Sequence, residues 1–448
     1  MIRKSKNMRI YVLIITFGLL TNVVAQEKKV WTLQECINYA LANNISVKQS
    51  ELDKNIALED VKAAKWNFAP NLNASGSHNY NFGSSISANG SRASADFQSN
   101  NFSLNSSVNL FNGFANLHTL KQSKIGVAAQ EAALSKMKND ISLNVVNGYL
   151  QILFAKEQVK VAQLQVEISE SQVARIEELV NAGSLPEGDL FNVKSTLATD
   201  QQNLIIAQNT QTMAALRLAQ LLQLSEATIE VMDVNVGASD QSILSKDVSE
   251  IYNKANESFP EIKLAELNIE SAKQGVKISQ ANFYPTLSLN TGMSTVYQHR
   301  QGTTDFITFS DQLDQNLGKS VGLSLNVPIF NRYQFRANVN KSKINYLKTE
   351  YSLESERLRL RETIQTAYTD AQASLKTYEA SNSTVEAQQK AFNYANERFK
   401  NGVMNSFDFN QAKNNLVNAQ SQLIQNKYDL VFKLKILEFY SGVPIAID

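Results

Sequence analysis

One cysteine, Cys36, is all the sequence contains, so no internal disulfide can form and the fold must hold by packing. Histidines are few: His78, His118 and His299 stand apart, with no metal-ligand spacing or nucleophile motif beside them. No enzyme and no cofactor is therefore read from the chain. The formal net charge is +1, which excludes the strong field of a nucleic-acid-binding surface. Beyond the first 25 residues no apolar run is long enough for a transmembrane helix. Six prolines are spread over 448 residues, and the stretches 113–181 and 332–400 contain none. The second stretch lacks glycine as well, so nothing in it breaks a helix.

What is present begins with an export pattern. Arg3, Lys4, Lys6 and Arg9 precede an apolar run from Ile10 to Leu20 and a small-residue site at Val23-Val24-Ala25. Residues 1–25 therefore read as a signal peptide, cleaved after Ala25. Cys36 is not the first mature residue, so no lipid anchor is expected on it; a small buried helix residue is its expected role.

The mature chain repeats itself. "VKAAKWNFAPNL" (61–72) returns as "VKISQANFYPTL" (276–287), with Asn67, Phe68, Pro70 and Leu72 recurring 215 positions later. From Phe111 (matching Phe330) through Tyr149 (Tyr368), Gly183 (Gly402) and Asp189 (Asp408) the separation is 219. The offset changes once, between Leu72 and Phe111; everything after it keeps its length. Loops tolerate insertion, whereas an element whose length matters does not. The first repeat is placed at 26–224, a linker at 225–247 and the second repeat at 248–448.

Four segments alternate with period two and read as strands: 68–82, 101–111, 283–297 and 319–330. Phe102, Leu104, Val108 and Leu110 oppose Ser103, Asn105, Ser107 and Asn109, and Val321, Leu323 and Leu325 oppose Ser320, Ser324 and Asn326. The polar set is nearly all Asn and Ser, with few charges, as a water-filled lumen requires. Aromatics gather where strands meet helices: Trp66, Phe68, Phe111, Phe114, Phe283, Tyr284, Phe330 and Tyr333. They are expected to form a girdle at a membrane interface, in contact with outer-membrane lipid. A looser set, Tyr80, Phe82, Phe97, Tyr297, Phe306 and Phe309, falls near the far ends.

Residues 113–181 and 332–400 read as helices, each on the order of 100 Å long at the helical rise per residue. Return helices are placed at 189–224 and 407–440, and helices leading into the strands at about 47–66 and 260–282. No single globular core needs such lengths, so a coiled-coil or helical-barrel shaft is implied. Both long helices stop alike, at "LVNAGSLPEGDLFNV" (179–193) and "RFKNGVMNSFDFNQA" (398–412). Gly183 and Gly402 suit the left-handed residue after a helix C-terminus, and Asp189 and Asp408 suit the first turn of the returning helix.

Four strands cannot close into a barrel, and open edges cannot face lipid, because each unpaired backbone group costs several kcal/mol in hydrocarbon. A water-filled barrel needs roughly twelve strands, which three chains supply. The expected fold is mainly α with a transmembrane β-barrel: a twofold internal repeat with four strands and long antiparallel helices per chain. As a homotrimer it would build a twelve-stranded barrel continued by a periplasmic α-helical barrel. The alternative is an exported coiled-coil structural protein or adhesin with the strands as its head.

The twofold repeat, the "NFxP" strand entries at Asn67–Pro70 and Asn282–Pro285, and the doubled Gly-x5-Asp stop resemble the TolC-like outer-membrane factors, over about 31–442. The resemblance implies an exit duct of tripartite efflux pumps or type I secretion systems, in the outer membrane with its shaft in the periplasm. Its partners would be a periplasmic adaptor (membrane-fusion) protein and an inner-membrane pump of the RND or ABC type. It implies adaptor docking at the tips, Gly183, Ser184, Leu185, Gly402, Val403 and Met404. It also implies a periplasmic aperture at Asp189 and Asp408, joined by Gln411, Phe399 and Met404. Three of these depart from the family's best-known member. Gln411 stands where that member has a second aperture aspartate, and Phe399 and Met404 where it has the tyrosine and arginine of its latch. Gating is then expected from the packing of Phe399, Met404 and Phe407, or is left to the adaptor.

Overall fold

The computed structural model describes residues 29–86, 90–94, 96–225, 229–233, 241–300 and 307–443; the expected signal peptide and Phe306 lie outside them. In chain order the elements are β1 (Val30–Trp31), α1 (Leu33–Asn43), α2 (Ile45–Trp66), β2 (Asn73–Asn81), β3 (Ser84–Ile86), β4 (Arg92–Ser94) and β5 (Phe97–Asn112). Then come α3 (Ala115–Asn181), α4 (Glu187–Leu222), β6 (Glu230–Val231), a 3-10 turn (Gln241–Ser245), α5 (Val248–Ser258) and α6 (Pro260–Ala281). The chain ends with β7 (Thr286–Arg300), α7 (Phe309–Gln315), β8 (Gly318–Asn326), α8 (Gln334–Lys400) and α9 (Ser406–Tyr440).

The two long helices, α3 and α8, have 67 residues each. Shorter helices lie beside them in two tiers. Towards the sheet the packing order is α2–α3–α6–α8, and towards the far end it is α4–α3–α9–α8. Each long helix thus runs the whole shaft, and its partner is built of two pieces that meet at a waist. At that joint the C-terminal end of α4 reaches the start of α2, where Asn44 donates to the Leu221 carbonyl at 3.3 Å. In the second repeat the end of α9 meets the start of α6, and Phe259 stacks on Tyr440 at 5.1 Å. Opposed helix ends of unlike partial charge make such a joint favourable.

The waist carries the main core. Leu33, Cys36, Val145, Tyr149, Ile152, Leu218 and Leu222 form one buried cluster, and Ile251, Ile262, Ile364, Leu434 and Leu437 its counterpart. The two tyrosines that match across the repeats fasten the long helices here. Tyr149 donates its hydroxyl to the Met232 carbonyl at 2.9 Å, and Tyr368 donates to the Leu244 carbonyl at 2.8 Å. Thr32 and Glu35 close a capping box on α1, and Asp247 caps α5 through the Ser249 amide at 2.9 Å. Thr32 and Asp247 are also 215 apart, so the repeat extends back to these first helices, beyond the motif stretches that reveal it. Burial pushes the Cys36 thiol up to about 12, which leaves almost no thiolate at neutral pH.

The large sheet is antiparallel in the order β2–β5–β7–β8. Register sorts its faces: Leu104 pairs with Met293, Val108 with Leu289 and Leu287 with Leu325, while Ser103 pairs with Ser294 and Ser288 with Ser324. On the polar face Ser75 and Ser103 hydroxyls bond at 2.7 Å, and Ser288 donates to Asn109 at 2.8 Å. A bulge between Asn109 and Phe111 leaves Leu110 without a partner and puts Phe111 opposite Leu287. Strict alternation through Leu110 therefore fails; Phe111 takes its place. The strands also differ in extent from the sequence reading. Residues 68–72 form the turn after α2, and residues 327–330 follow the end of β8. Pro70 and Pro328, which lack an N–H for a ladder, fall in those excluded stretches. Between the expected strands 68–82 and 101–111 lie the β3–β4 hairpin and the start of β5, and between 283–297 and 319–330 lie the end of β7 and α7.

The sheet passes to the long helices through an unusual backbone. Gly113 (φ 63°) and Phe114 (φ 67°) are both left-handed, as are their repeat partners Arg332 (φ 52°) and Tyr333 (φ 69°). A Cβ at Gly113 would overlap the Ala281 carbonyl oxygen and stand 2.9 Å from Tyr284 Cβ. Arg332 is exposed at the outer end of the row, so its side chain has room and only the backbone is strained. Gly113→Ala is expected to destabilise the fold by roughly 1–3 kcal/mol, and Arg332→Gly to stabilise it by up to about 1 kcal/mol. Heat-induced unfolding of the purified variants checks both signs.

Candidate functional site

The two stops at the far end have one local structure. After α3 the Gly183 amide bonds the Val180 carbonyl at 2.9 Å and the Ser184 amide bonds Leu179 at 2.8 Å. After α8 the Gly402 amide bonds Phe399 at 3.1 Å and the Val403 amide bonds Arg398 at 2.9 Å. Both glycines have φ 71°, so each helix ends in the same left-handed cap, and the chain turns back within a few residues.

The returning helices start differently. Asn405 caps α9, its side-chain oxygen accepting from the Asp408 amide at 2.8 Å while its amide donates to the Asp408 carboxylate at 3.1 Å. Pro186 stands at the cap of α4 and offers no side-chain acceptor, so Glu187 and Asp189 serve that first turn by their charge. Asp408 is exposed and Asp189 half-buried. Gln411 donates to Asn415 at 3.0 Å on the exposed side of α9.

A small apolar cluster joins the two tips. Ile176, Val193, Phe399 and Phe409 are buried in it, with Leu185, Leu190 and Met404 packed against them. Phe399 stacks on Phe409 at 4.6 Å. Phe407, expected in the packed gate, is instead 76% exposed. It lies two residues from Phe409, about 200° around the helix, so both cannot face the seam. Val403 is likewise exposed, as are Gly183, Ser184 and Gly402. Arg175 was not singled out by sequence reasoning. Its guanidinium donates to the Lys400 carbonyl, one of the orphan acceptors at the end of α8, and sits 5.7 Å from the Phe399 ring. Phe409 was missed too, although its spacing to Leu416 along α9 matches a seven-residue seam.

At the other end of the shaft the aromatic residues collect at the strand–helix junctions. Trp66 ends α2 and Phe68 follows it; Phe111 ends β5 and Phe114 begins α3; Phe283 and Tyr284 lie between α6 and β7; Phe330 and Tyr333 lie between β8 and α8. Trp66 and Phe330 are 75% and 84% exposed, and the rest, Phe111 apart, are exposed as well. Phe111 meets Phe114 edge-on at 5.2 Å. Of the looser set, Tyr80 stacks on Phe82 at 6.0 Å and Tyr297 meets Phe309 at 4.9 Å, at the opposite end of the sheet. Among the described residues no helix is long and apolar enough to cross a membrane, and no group of His, Cys, Asp or Glu is placed to hold a metal ion.

An antiparallel sheet continued by paired long helices that turn at a shared tip is the fold of an outer-membrane channel chain. The structure superposes on the Campylobacter jejuni CmeC outer membrane channel with a TM-score of 0.73 at 18% identity, covering 93% of this chain and 87% of that one. The particular family follows from the sequence, since residues 36–223 and 251–443 match the outer membrane efflux protein family, and the chain belongs to it. Outer membrane protein TolC of Escherichia coli (strain K12) is 22% identical over 412 residues, covering 90% of this chain and 81% of TolC. Outer membrane efflux protein BepC of Brucella suis biovar 1 (strain 1330) is 22% identical over 407 residues, covering 89% of this chain and 83% of BepC. The chain is accordingly an outer-membrane efflux channel, of a family of channels rather than enzymes. These likenesses lend no support to a structural fibre or adhesin.

Removing Phe409 should loosen the tip without touching the waist. Phe409→Ala is expected to cost roughly 3–5 kcal/mol of local packing. Limited proteolysis should then cut near 400–406 faster in the variant, with cleavage elsewhere unchanged.

Proposed function

We propose that the chain is the exit duct of a tripartite efflux pump or type I secretion system, working as a homotrimer that conducts substrates passively across the outer membrane. The observation that carries the reading is that the sheet and the helix row are left open on the same two sides. β2 and α2 form one flank, β8 and α8 the other. Both edge strands are exposed along their whole length. α2 exposes Ile45, Leu52 and Ile56, and α8 exposes Ile344, Leu347, Tyr351 and Leu358, at the three-, four- and seven-residue spacings of helix seams. Leaving each of these large side chains in water forgoes roughly 1.5–3 kcal/mol that burial would return.

A head-to-tail contact between copies covers both flanks at once, pairing β8 with β2 and α8 with α2, and a closed ring leaves no edge. With four long-sheet strands per chain, three copies give about twelve, the size at which a barrel holds water. The strands of the large sheet have nine residues or more, the length a tilted strand needs to cross a bilayer. Asn and Ser then line the lumen, and the exposed aromatics at the helix junctions mark the inner interface of the membrane.

The tips would lie about a shaft's length into the periplasm, where an adaptor and an inner-membrane pump of the RND or ABC type would meet Gly183, Ser184, Leu185, Gly402, Val403 and Met404. Asp189 and Asp408 would ring the aperture, with Gln411 one turn behind them and Phe399 and Met404 packed within the wall. The same acids stabilise their helix ends, by typically 0.3–1 kcal/mol each; the two roles are compatible.

Single-channel recording in planar bilayers tests the reading. Wild type is expected to give a small cation-selective pore. Asp189→Ala combined with Asp408→Ala should lower cation selectivity severalfold and alter conductance, while membrane insertion and oligomer mass stay the same. An inserted oligomer that never conducts would refute the duct; a pore indifferent to the substitutions would leave the aspartates as helix-end charges only.

A further inference from the structure

Charge is unevenly placed along the chain. Residues 61–66, 114–130, 271–284 and 330–349 hold eleven Lys and Arg and no Asp or Glu. The whole chain carries +1, so the rest of it is acidic overall. These four segments are the sheet-side ends of α2, α3, α6 and α8. All eleven basic residues are exposed except Lys277, which is half-buried. Among the described residues only Lys62 of this set makes an ion pair, with Glu59 at 2.7 Å. Exposed lysines further from the sheet are matched instead: Lys160, Lys194, Lys376 and Lys390 each lie 2.6–3.2 Å from a glutamate.

Helix stability does not account for the excess. Lys65 does serve the last turn of α2, where a cation suits the helix dipole. The first turns of α3 and α8 are the opposite case. They hold no acid, and Arg336 stands in the first turn of α8 against the dipole. At the tips the same chain does place acids in first turns, Glu187 and Asp189 in α4 and Asp408 in α9.

The aromatic residues at the junctions give these cations an order. On α3 the exposed Phe114, Leu117, Lys121 and Lys124 follow at spacings of three, four and three, which is one stripe of a helix. On α8 the exposed Tyr333, Arg336, Asn340 and Lys343 repeat that stripe 219 positions on. Phe111 pairs with Leu287 on the apolar face of the sheet and meets Phe114 edge-on, so the α3 stripe continues that face. The cations of both stripes lie three to ten residues beyond the aromatic ring, roughly 5–15 Å along the axis. Both helices run away from the sheet, so these side chains tilt back towards it.

We infer that these residues form a basic collar that binds the anionic headgroups of phospholipids in the leaflet facing the shaft, just beyond the aromatic girdle. The collar presupposes the reading above, that the sheet spans a membrane. An aromatic ring rests where hydrocarbon meets headgroup, and a cation one to three turns further out falls among the phosphates. Lysine and arginine near an anionic lipid surface are attracted to it across a Debye length of about 10 Å at about 0.1 M salt. The missing acids matter as much as the cations present. A carboxylate at this level would pair a lysine and repel a phosphate.

Native mass spectrometry of the full-length oligomer, released from neutral detergent with added lipid, tests the collar. Wild type is expected to retain phosphatidylglycerol about fivefold over phosphatidylcholine. Raising salt from about 0.05 to about 0.5 M should erase that preference. Lys121→Glu, Lys124→Glu, Arg336→Glu and Lys343→Glu together should abolish it, while oligomer mass and insertion into phosphatidylcholine vesicles stay the same. Lys160→Glu, Lys194→Glu, Lys376→Glu and Lys390→Glu change the net charge equally and should keep it. The milder Lys124→Gln with Lys343→Gln should lower it about twofold, and it decides the matter if the collar variant fails to assemble. Equal retention of the two lipids by wild type overturns the collar. So does a preference that survives in the collar variant, or one lost equally in the control set. Inorganic phosphate that strips the bound lipid would mark a site for free anions, and overturns it too. A protein that enters vesicles of neither composition sinks the membrane reading and the collar together. An inserted, conducting protein without lipid preference sinks the collar alone.

Discussion

The structure depends on two helices having the same length. α3 and α8 each begin beside a left-handed pair of residues at the sheet and end in a left-handed glycine cap at the tip, 67 helical residues apart. Because both ends are geometrically fixed, an insertion of one residue in one copy would turn its tip by about 100° and shift it by 1.5 Å. The cluster that joins the tips, with Phe399 on Phe409 and Leu185 and Met404 packed against it, would then be lost. Length is therefore conserved between the repeats along the helices and yields only in the strand segment, where register can absorb it through an altered hairpin. That is the physical reason the single four-residue change of offset lies between Leu72 and Phe111.

Where the repeats differ, their surroundings differ. Gly113 sits between neighbouring elements and has no room for a side chain, whereas Arg332, at the same point of the second repeat, lies on the outer flank. α4 starts at a proline and α9 at an asparagine that clasps Asp408. A buried polar layer draws Ser169 and Asp200 from the first repeat and Lys413 from the second, so it has no counterpart by symmetry. A duplicated chain that only needed a rigid wall would have little use for such asymmetry. Each of these differences follows from what the two copies pack against within the chain, which is not the same for the first repeat as for the second.

Much of this was legible in the residues. The spacing of apolar positions and the absence of proline put long helices at 113–181 and 332–400, and the structure has them at Ala115–Asn181 and Gln334–Lys400. Period-two alternation found the strands but not their ends, because Phe68, Pro70, Leu72, Val327 and Ile329 keep the alternating pattern in turn and irregular chain outside the ladders. The bulge at Leu110 was invisible for a similar reason: an apolar residue at either position satisfies the pattern. Phe407 was misread because hydrophobicity was taken for burial. Its neighbour two residues on, Phe409, holds the seam, which leaves Phe407 on the opposite, exposed side of the helix. Arg175 could not have been found, since its role is to reach a carbonyl more than two hundred residues away.

The same contrast explains why the apolar tip cluster and the polar layer sit next to each other. The cluster is small: four buried residues with a few half-buried ones around them. By itself it would let the tips of α8 and α9 drift against α3, because apolar packing of that size is not strongly directional. The Lys413 ammonium, the Asp200 carboxylate and the Ser169 hydroxyl supply direction, since each of the three bonds the other two and the set closes in one arrangement. The waist supplies strength through its much larger cores, and it holds whether or not the tip is ordered. Stability and position are thus separated along the shaft: packing at the waist, midway along the long helices, carries the main core, and a few hydrogen bonds beyond it decide where the tip points.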